Sequence, residues 1–153
     1  MIKNNVIVGF IIMGRVKSSA SPNNPLYPED EENTDMSYFQ LRFALTNRKV
    51  TYLGSMVITL MLTMFEYLEA NWEMLCNDIE KGTIDPSVRC PASLRNKYEK
   101  KLKPNPKRAA ELRAEFEKGF DTEVPIAKRI WPRVCWGYGM ISSTLSIYVE
   151  KLH

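Results

Sequence analysis

The side chains able to do acid–base, nucleophilic or metal chemistry are few in this chain of 153 residues, and no complete constellation of them is visible. The one histidine, His153, is the last residue, where fraying defeats the fixed geometry that proton transfer or nucleophile activation needs. Cys76, Cys90 and Cys135 are odd in number, widely spaced and free of any C-x-x-C pair. They indicate neither a disulfide framework nor zinc, and they fit a reducing cytoplasm. Glu29-Asp30-Glu31-Glu32 concentrates carboxylates, but consecutive acids on a proline-rich stretch read as a solvated loop, not a cation cage. There is no G-x-x-x-x-G-K-S/T, no G-x-G-x-x-G and no G-x-S-x-G. Ser18-Ser19-Ala20-Ser21 lacks the glycine that lets backbone N–H groups gather on a phosphate. The chain is therefore expected to hold no catalytic residue, no metal ligand and no cofactor-binding residue of its own.

Charge adds little. Twenty-one basic residues stand against 18 acidic, a net charge of +3. The basic run Arg95, Lys97, Lys100, Lys101, Lys103, Lys107 and Arg108 is interleaved with a single aromatic, Tyr98. That pattern reads as a solvated helical face, with no nucleic-acid partner. The apolar run Val6–Met13 is too short to span a bilayer. Arg15 and Lys17 follow it where a secretory signal prefers small neutral residues, so a buried β-strand with a linker over residues 1–20, and no membrane partner, is expected.

The remaining pattern belongs to the elements that must position any site. Pro22, Pro25 and Pro28 make residues 18–34 a surface loop. Ser37 can cap a helix through about Arg48, with Tyr38, Leu41, Ala44 and Leu45 on its apolar stripe. Val50–Leu53 is β-like. After Gly54, Ile58, Met61, Phe65, Leu68, Trp72, Leu75 and Ile79 recur every three or four residues and stop at Gly82, predicting a long amphipathic helix with its Met56–Phe65 start in the core. A helix over residues 92–102 places Leu94, Tyr98 and Leu102 on one side, and Pro104-Asn105-Pro106 breaks it. The next helix buries Ala109, Leu112 and Phe116, sets Glu111 and Glu115 against basic neighbours, and stops at Gly119. A short helix over residues 126–130 ends at Trp131-Pro132. Val134-Cys135-Trp136 reads as a buried strand, Gly137 and Gly139 as a loosening turn. Ser142 or Ser143 is placed to cap a final helix with Leu145, Tyr148, Val149 and Leu152 inside. Strand, glycine-bearing turn and helix is either an ordinary connection or a site at the carboxyl edge of a sheet.

Three stretches together carry a family resemblance. Phe65–Ile84 contains Trp72 followed by Leu75-Cys76-x-Asp78-Ile79-x-x-Gly82; Leu102-Lys103-Pro104-Asn105-Pro106 is followed by Ala109 and Leu112; Ile130-Trp131-Pro132 is followed by Tyr148 and Leu152. These resemble the auxin-responsive promoter family, the Gretchen Hagen family of acyl-acid amido synthetases, over roughly Ser21 to His153. The resemblance implies a helix-rich α/β fold, with residues 21–153 forming a partial large domain of a firefly-luciferase-like adenylate-forming enzyme. In that chemistry a small carboxylic acid attacks ATP, with magnesium assisting, and the amine of an amino acid then displaces AMP to leave an amide. The family's Ser/Thr/Gly-rich ATP motif is expected upstream of Ser21 and its second ATP motif beyond His153. Activity then requires more than this stretch, whether from a longer chain or a complementary one, and a fragment of this kind should self-associate through strand edges and apolar faces. The family's Thr-Gly-Ser turn beside the acyl pocket falls on Ser142, Ser143 and Thr144, with Ser143 where the family has glycine. The competing expectation is a helical interaction or acyl-acid-binding module without catalysis.

Overall fold

The computed structural model describes residues 34–140; the apolar run Val6–Met13, the acidic run Glu29–Glu32, Ser142–Thr144 and the final helix lie outside the described residues. Within them the elements are α1 (Met36–Thr46), β1 (Tyr52–Val57), α2 (Ile58–Lys81), α3 (Ala92–Glu99), α4 (Pro106–Phe116), α5 (Ile126–Ile130) and β2 (Trp136–Met140). The two strands pair in parallel, and α2 packs against both α1 and α4.

The long helix forms where its periodicity predicts. Leu68, Leu75, Cys76 and Ile79 are fully buried, Met61 and Met64 nearly so, and Phe65 and Trp72 pack at the margin of the same core. Tyr38, Leu41, Ala44 and Leu45 of α1 and Ala109, Leu112 and Phe116 of α4 complete it. In α4, Asn105 caps the helix by accepting from the Arg108 N–H at 3.1 Å, and Pro106 occupies the first turn, where its missing N–H costs nothing.

Four boundaries differ from the sequence expectation. The cap of α1 is Asp35, not Ser37: its carboxylate accepts the Tyr38 N–H at 3.3 Å, and its other oxygen accepts the Tyr67 hydroxyl at 2.9 Å. The two carboxylate oxygens thus serve two donors on separate helices, while Ser37 already lies inside the first turn. β1 continues through Gly54 to Val57, so α2 begins at Ile58. Gly137 and Gly139 lie inside β2 rather than in a turn, opposite Leu53 and Ser55, while Cys135 precedes the strand. Pairing between the strands overrides the weak strand preference of glycine at these positions. Finally, α3 stops at Glu99; the Lys101 and Leu102 N–H groups both turn back to the Tyr98 carbonyl ahead of Pro104.

One buried carboxylate joins the helices. Asp78 is 5% exposed. It accepts the Tyr38 hydroxyl at 2.6 Å, the Thr83 hydroxyl at 3.1 Å and the Asp85 N–H at 2.9 Å. Its carbonyl accepts from the Gly82 and Thr83 N–H groups and from Arg42 Nη2 at 2.8 Å. The Arg42 guanidinium is buried beside it; Nη1 donates to Thr46, and Nε alone has no partner among the described residues. Gly82 makes the turn possible. Its φ is +74°, and a Cβ there would lie 2.6 Å from the Pro104 nitrogen.

Removing Asp78 leaves three donors without an acceptor. Asp78→Ala should cost about 2–4 kcal/mol in urea denaturation, and Gly82→Ala a similar amount, because it adds both strain and a clash. Burial and the Asp78 carboxylate push the Tyr38 phenol well above its ordinary value. The unfolded phenol loses its proton near pH 10 while the folded one keeps it. This contribution is therefore complete below about pH 10 and shrinks as pH rises beyond it. Urea midpoints should fall above about pH 10, less steeply in Tyr38→Phe.

Candidate functional site

Parallel strands end at the same edge of their sheet, and that edge is where open α/β sheets place ligands. Here it is formed by Val57, where β1 passes directly into α2, and by Met140, where β2 ends. The pairing register slips by one residue between Ser55 and Val57, and such bulges re-aim the chain at strand ends. The first turn of α2 carries no acidic residue, leaving the positive end of its dipole unopposed by a carboxylate of its own. Ser142 follows Met140 by two residues in sequence; Ser142, Ser143 and Thr144 lie outside the described residues.

The approach to β2 is pinned from several directions. The Trp131 indole N–H donates to the Ala44 carbonyl at 3.1 Å, and the ring is fully buried. Arg108 donates through Nε to the Leu45 carbonyl at 2.8 Å and through Nη2 to the Ile130 carbonyl at 2.6 Å, with Glu111 at 3.2 Å from Nη1. The Cys135 N–H donates to the Thr51 carbonyl at 3.1 Å, just before the two strands begin to pair. Arg108 thus ties the end of α1 to the end of α5. Burial lowers its guanidinium pKa and Glu111 opposes that effect; arginine stays charged regardless.

The basic run of the sequence therefore splits. Arg108 is buried and Arg95 half-buried, the latter donating to the carbonyls of Ile84, Asp85 and Val88, so neither belongs to a solvated face. The signal was present: Arg108 stands four residues before Leu112 and eight before Phe116, on the apolar side of α4. Lys100, Lys101, Lys103 and Lys107 are exposed as expected. Glu111 and Glu115 do meet basic neighbours, Arg48 and Arg108 for the first, Lys118 and Arg129 for the second.

A cleft of about 480 Å³ runs along the first half of α2. Leu53, Met61, Phe65, Phe120 and Ile126 supply its apolar floor, and Glu66, Glu69 and Asp121 bring carboxylates to its rim. An anionic acid would be repelled there, so the cleft does not suit a carboxylate headgroup.

The cysteines sort by environment. Burial pushes the Cys76 thiol up to about 11, while Cys135 is exposed. A thiol reagent at pH 8 should label Cys135 rapidly and Cys76 only when denaturant is added, read by mass spectrometry of the digested protein.

Residues 9–153 match the model of the GH3 family N-terminal domain. An indole-3-acetic acid-amido synthetase of Oryza sativa subsp. indica, GH3.8, is 32% identical over 116 residues, covering 75% of this chain and 19% of that protein. A jasmonoyl–L-amino acid synthetase of Oryza sativa subsp. japonica, GH3.5, is 32% identical over 90 residues, covering 58% of this chain and 15% of its own length. Among solved structures, the GH3.15 acyl acid amido synthetase superposes with a TM-score of 0.68 at 28% identity, over 76% of this chain and 21% of that one. The same kind of synthetase in complex with 2,4-DB gives 0.65 at 27% identity. The chain spans about a fifth of the length of the relatives it matches.

Proposed function

This chain belongs to the GH3 family, and from that premise we propose that residues 21–153 serve as part of the large adenylating domain of an acyl-acid amido synthetase. The reaction is ATP-dependent activation of a small carboxylic acid followed by amide formation with an amino acid. The observation that carries this reading is the extent of the match, residues 9–153 with a superposable fold. In keeping with it, β2 ends at Met140, two residues before Ser142 in sequence.

In this reading Ser142, Ser143 and Thr144 border the acyl pocket, as the family resemblance implies. Hydroxyls suit the carboxylate of the acid, as the acid-lined cleft does not. The chemistry itself requires oriented donors on the phosphates and a cation, and magnesium would supply the Lewis acidity. Both ATP and magnesium are assigned to parts of the synthetase beyond the described residues. The contribution of this chain is to fix the edge: Trp131, Arg108 and the β1–β2 register hold the strand that leads to the hydroxyls. Among the described residues no helix is long and apolar enough to cross a membrane.

The second reading, a binding module without catalysis, is favoured by the completeness of the core around Asp78, Tyr38 and Arg42, which satisfies itself almost fully within the described residues. Calorimetry separates the two. The folded chain alone should give no saturable heat with ATP and magnesium. Joined to the remaining portion of a synthetase, it should release AMP when given an acyl acid and an amino acid. In that assembled enzyme Ser142→Ala should change the affinity for the acyl acid by about ten-fold, roughly the worth of one charge-assisted hydrogen bond. Saturable acid binding by the chain alone, with no AMP from the assembled protein, would select the module instead.

A further inference from the structure

We infer that this chain docks head to tail on a second copy of itself, the lysine-bearing turn around Pro104 of one copy seating in the acidic, apolar-floored cleft of the next. The two surfaces are charged with opposite sign, and among the described residues no ion pair neutralises either. Glu66, Glu69 and Asp121 are exposed at the cleft and enter no ion pair among the described residues. Lys100, Lys101, Lys103 and Lys107 are exposed around the turn and are equally unpaired there. Some other surface charges do have partners, Arg48 with Glu111, Arg113 with Glu80 and Lys118 with Glu115.

The lysines' positions are only partly explained by local electrostatics. Lys100 and Lys101 follow the C-terminus of α3, where the helix dipole favours cations. Lys107 sits in the first turn of α4, where the dipole opposes it, and Lys103 belongs to no helix. Gly82 lets Pro104 close directly onto the C-terminal end of α2, which places this turn at that end. The cleft lies along the first half of the same helix. From Glu69 to Lys81 is twelve residues, roughly 18 Å of helix, beyond the screening length at physiological salt. Opposite charges at opposite ends of one rigid helix cannot satisfy each other within a molecule, whereas a second copy can bring them together. Lysine stems are apolar and would lie over Phe65 and Phe120 while their ammonium groups reach Glu66, Glu69 and Asp121. Such a contact joins two different patches, so assemblies should lengthen with concentration until a ring closes.

Sedimentation of the full chain tests this. Raising salt from about 20 mM to about 500 mM should weaken self-association at least about ten-fold. Glu66→Lys/Glu69→Lys and Lys100→Glu/Lys101→Glu/Lys103→Glu, all exposed positions, should each be folded by circular dichroism and monomeric alone, yet associate when mixed. A monomeric parent chain at low salt, association strengthened by salt as apolar or strand-edge contacts would give, association persisting in either variant alone, or a mixture that stays monomeric would each overturn it.

Discussion

The carboxylate of Asp78 is the constraint on which the remainder of this fold rests. It lies one turn before the end of a 24-residue helix, and through it that helix is bonded at once to α1, by Tyr38, and to the loop that leaves it, by Thr83 and the Asp85 N–H. Burying an acid is costly unless every lone pair finds a donor. Meeting that demand requires α1 to lie in one position along α2, and the chain after Gly82 to turn in one direction. The same turn brings Pro104 and the Asn105 N–H, which donates to the Ile79 carbonyl at 2.9 Å, against the helix end. The start of α4, and hence the place of Arg108, is thereby determined.

Arginine then carries this order to the far side of the molecule. Arg42, Arg95, Arg108 and Arg129 each direct N–H groups at main-chain carbonyls near helix ends or in turns: Asp78, then Ile84 and Val88, then Leu45 and Ile130, then Glu115 and Gly119. The planar guanidinium suits this role because one side chain meets carbonyls of two separate segments with fixed angles. The chain thus uses its cations as braces, and the strand leading to the proposed acyl pocket is held by two such contacts and one indole.

Much of this was legible beforehand. The period of α2 from Met61 to Ile79, the stop at Gly82, the Asn105-Pro106 start of α4, the span of α5 and the acid–base neighbours of α4 all follow from spacing and cap chemistry. The GH3 identity was carried by Trp72 to Gly82, the Pro-Asn-Pro turn and Trp131-Pro132. What spacing did not reveal depended on partners distant in sequence. Gly137 and Gly139 look like a turn until β1 is set beside them; Asp35 outcompetes Ser37 as a cap because Tyr67 stabilises the same carboxylate from another helix; Arg108 and Arg95 look solvated until the carbonyls they meet are in place. Local rules found the helices, and non-local pairing decided the strands and the fate of the charges.

The pairing of β1 with β2 has a kinetic consequence. Thr51 and Cys135, which close the sheet at its start, are 84 residues apart, whereas the bonds at the Gly82 turn and within the helices are local. Closing so long a loop carries a conformational entropy penalty that is recovered only after the intervening helices have packed. The helices around Asp78 should therefore assemble early and the sheet late. The carboxyl edge of this sheet is then the last part of the described fold to take shape, and the first to open under local fluctuation.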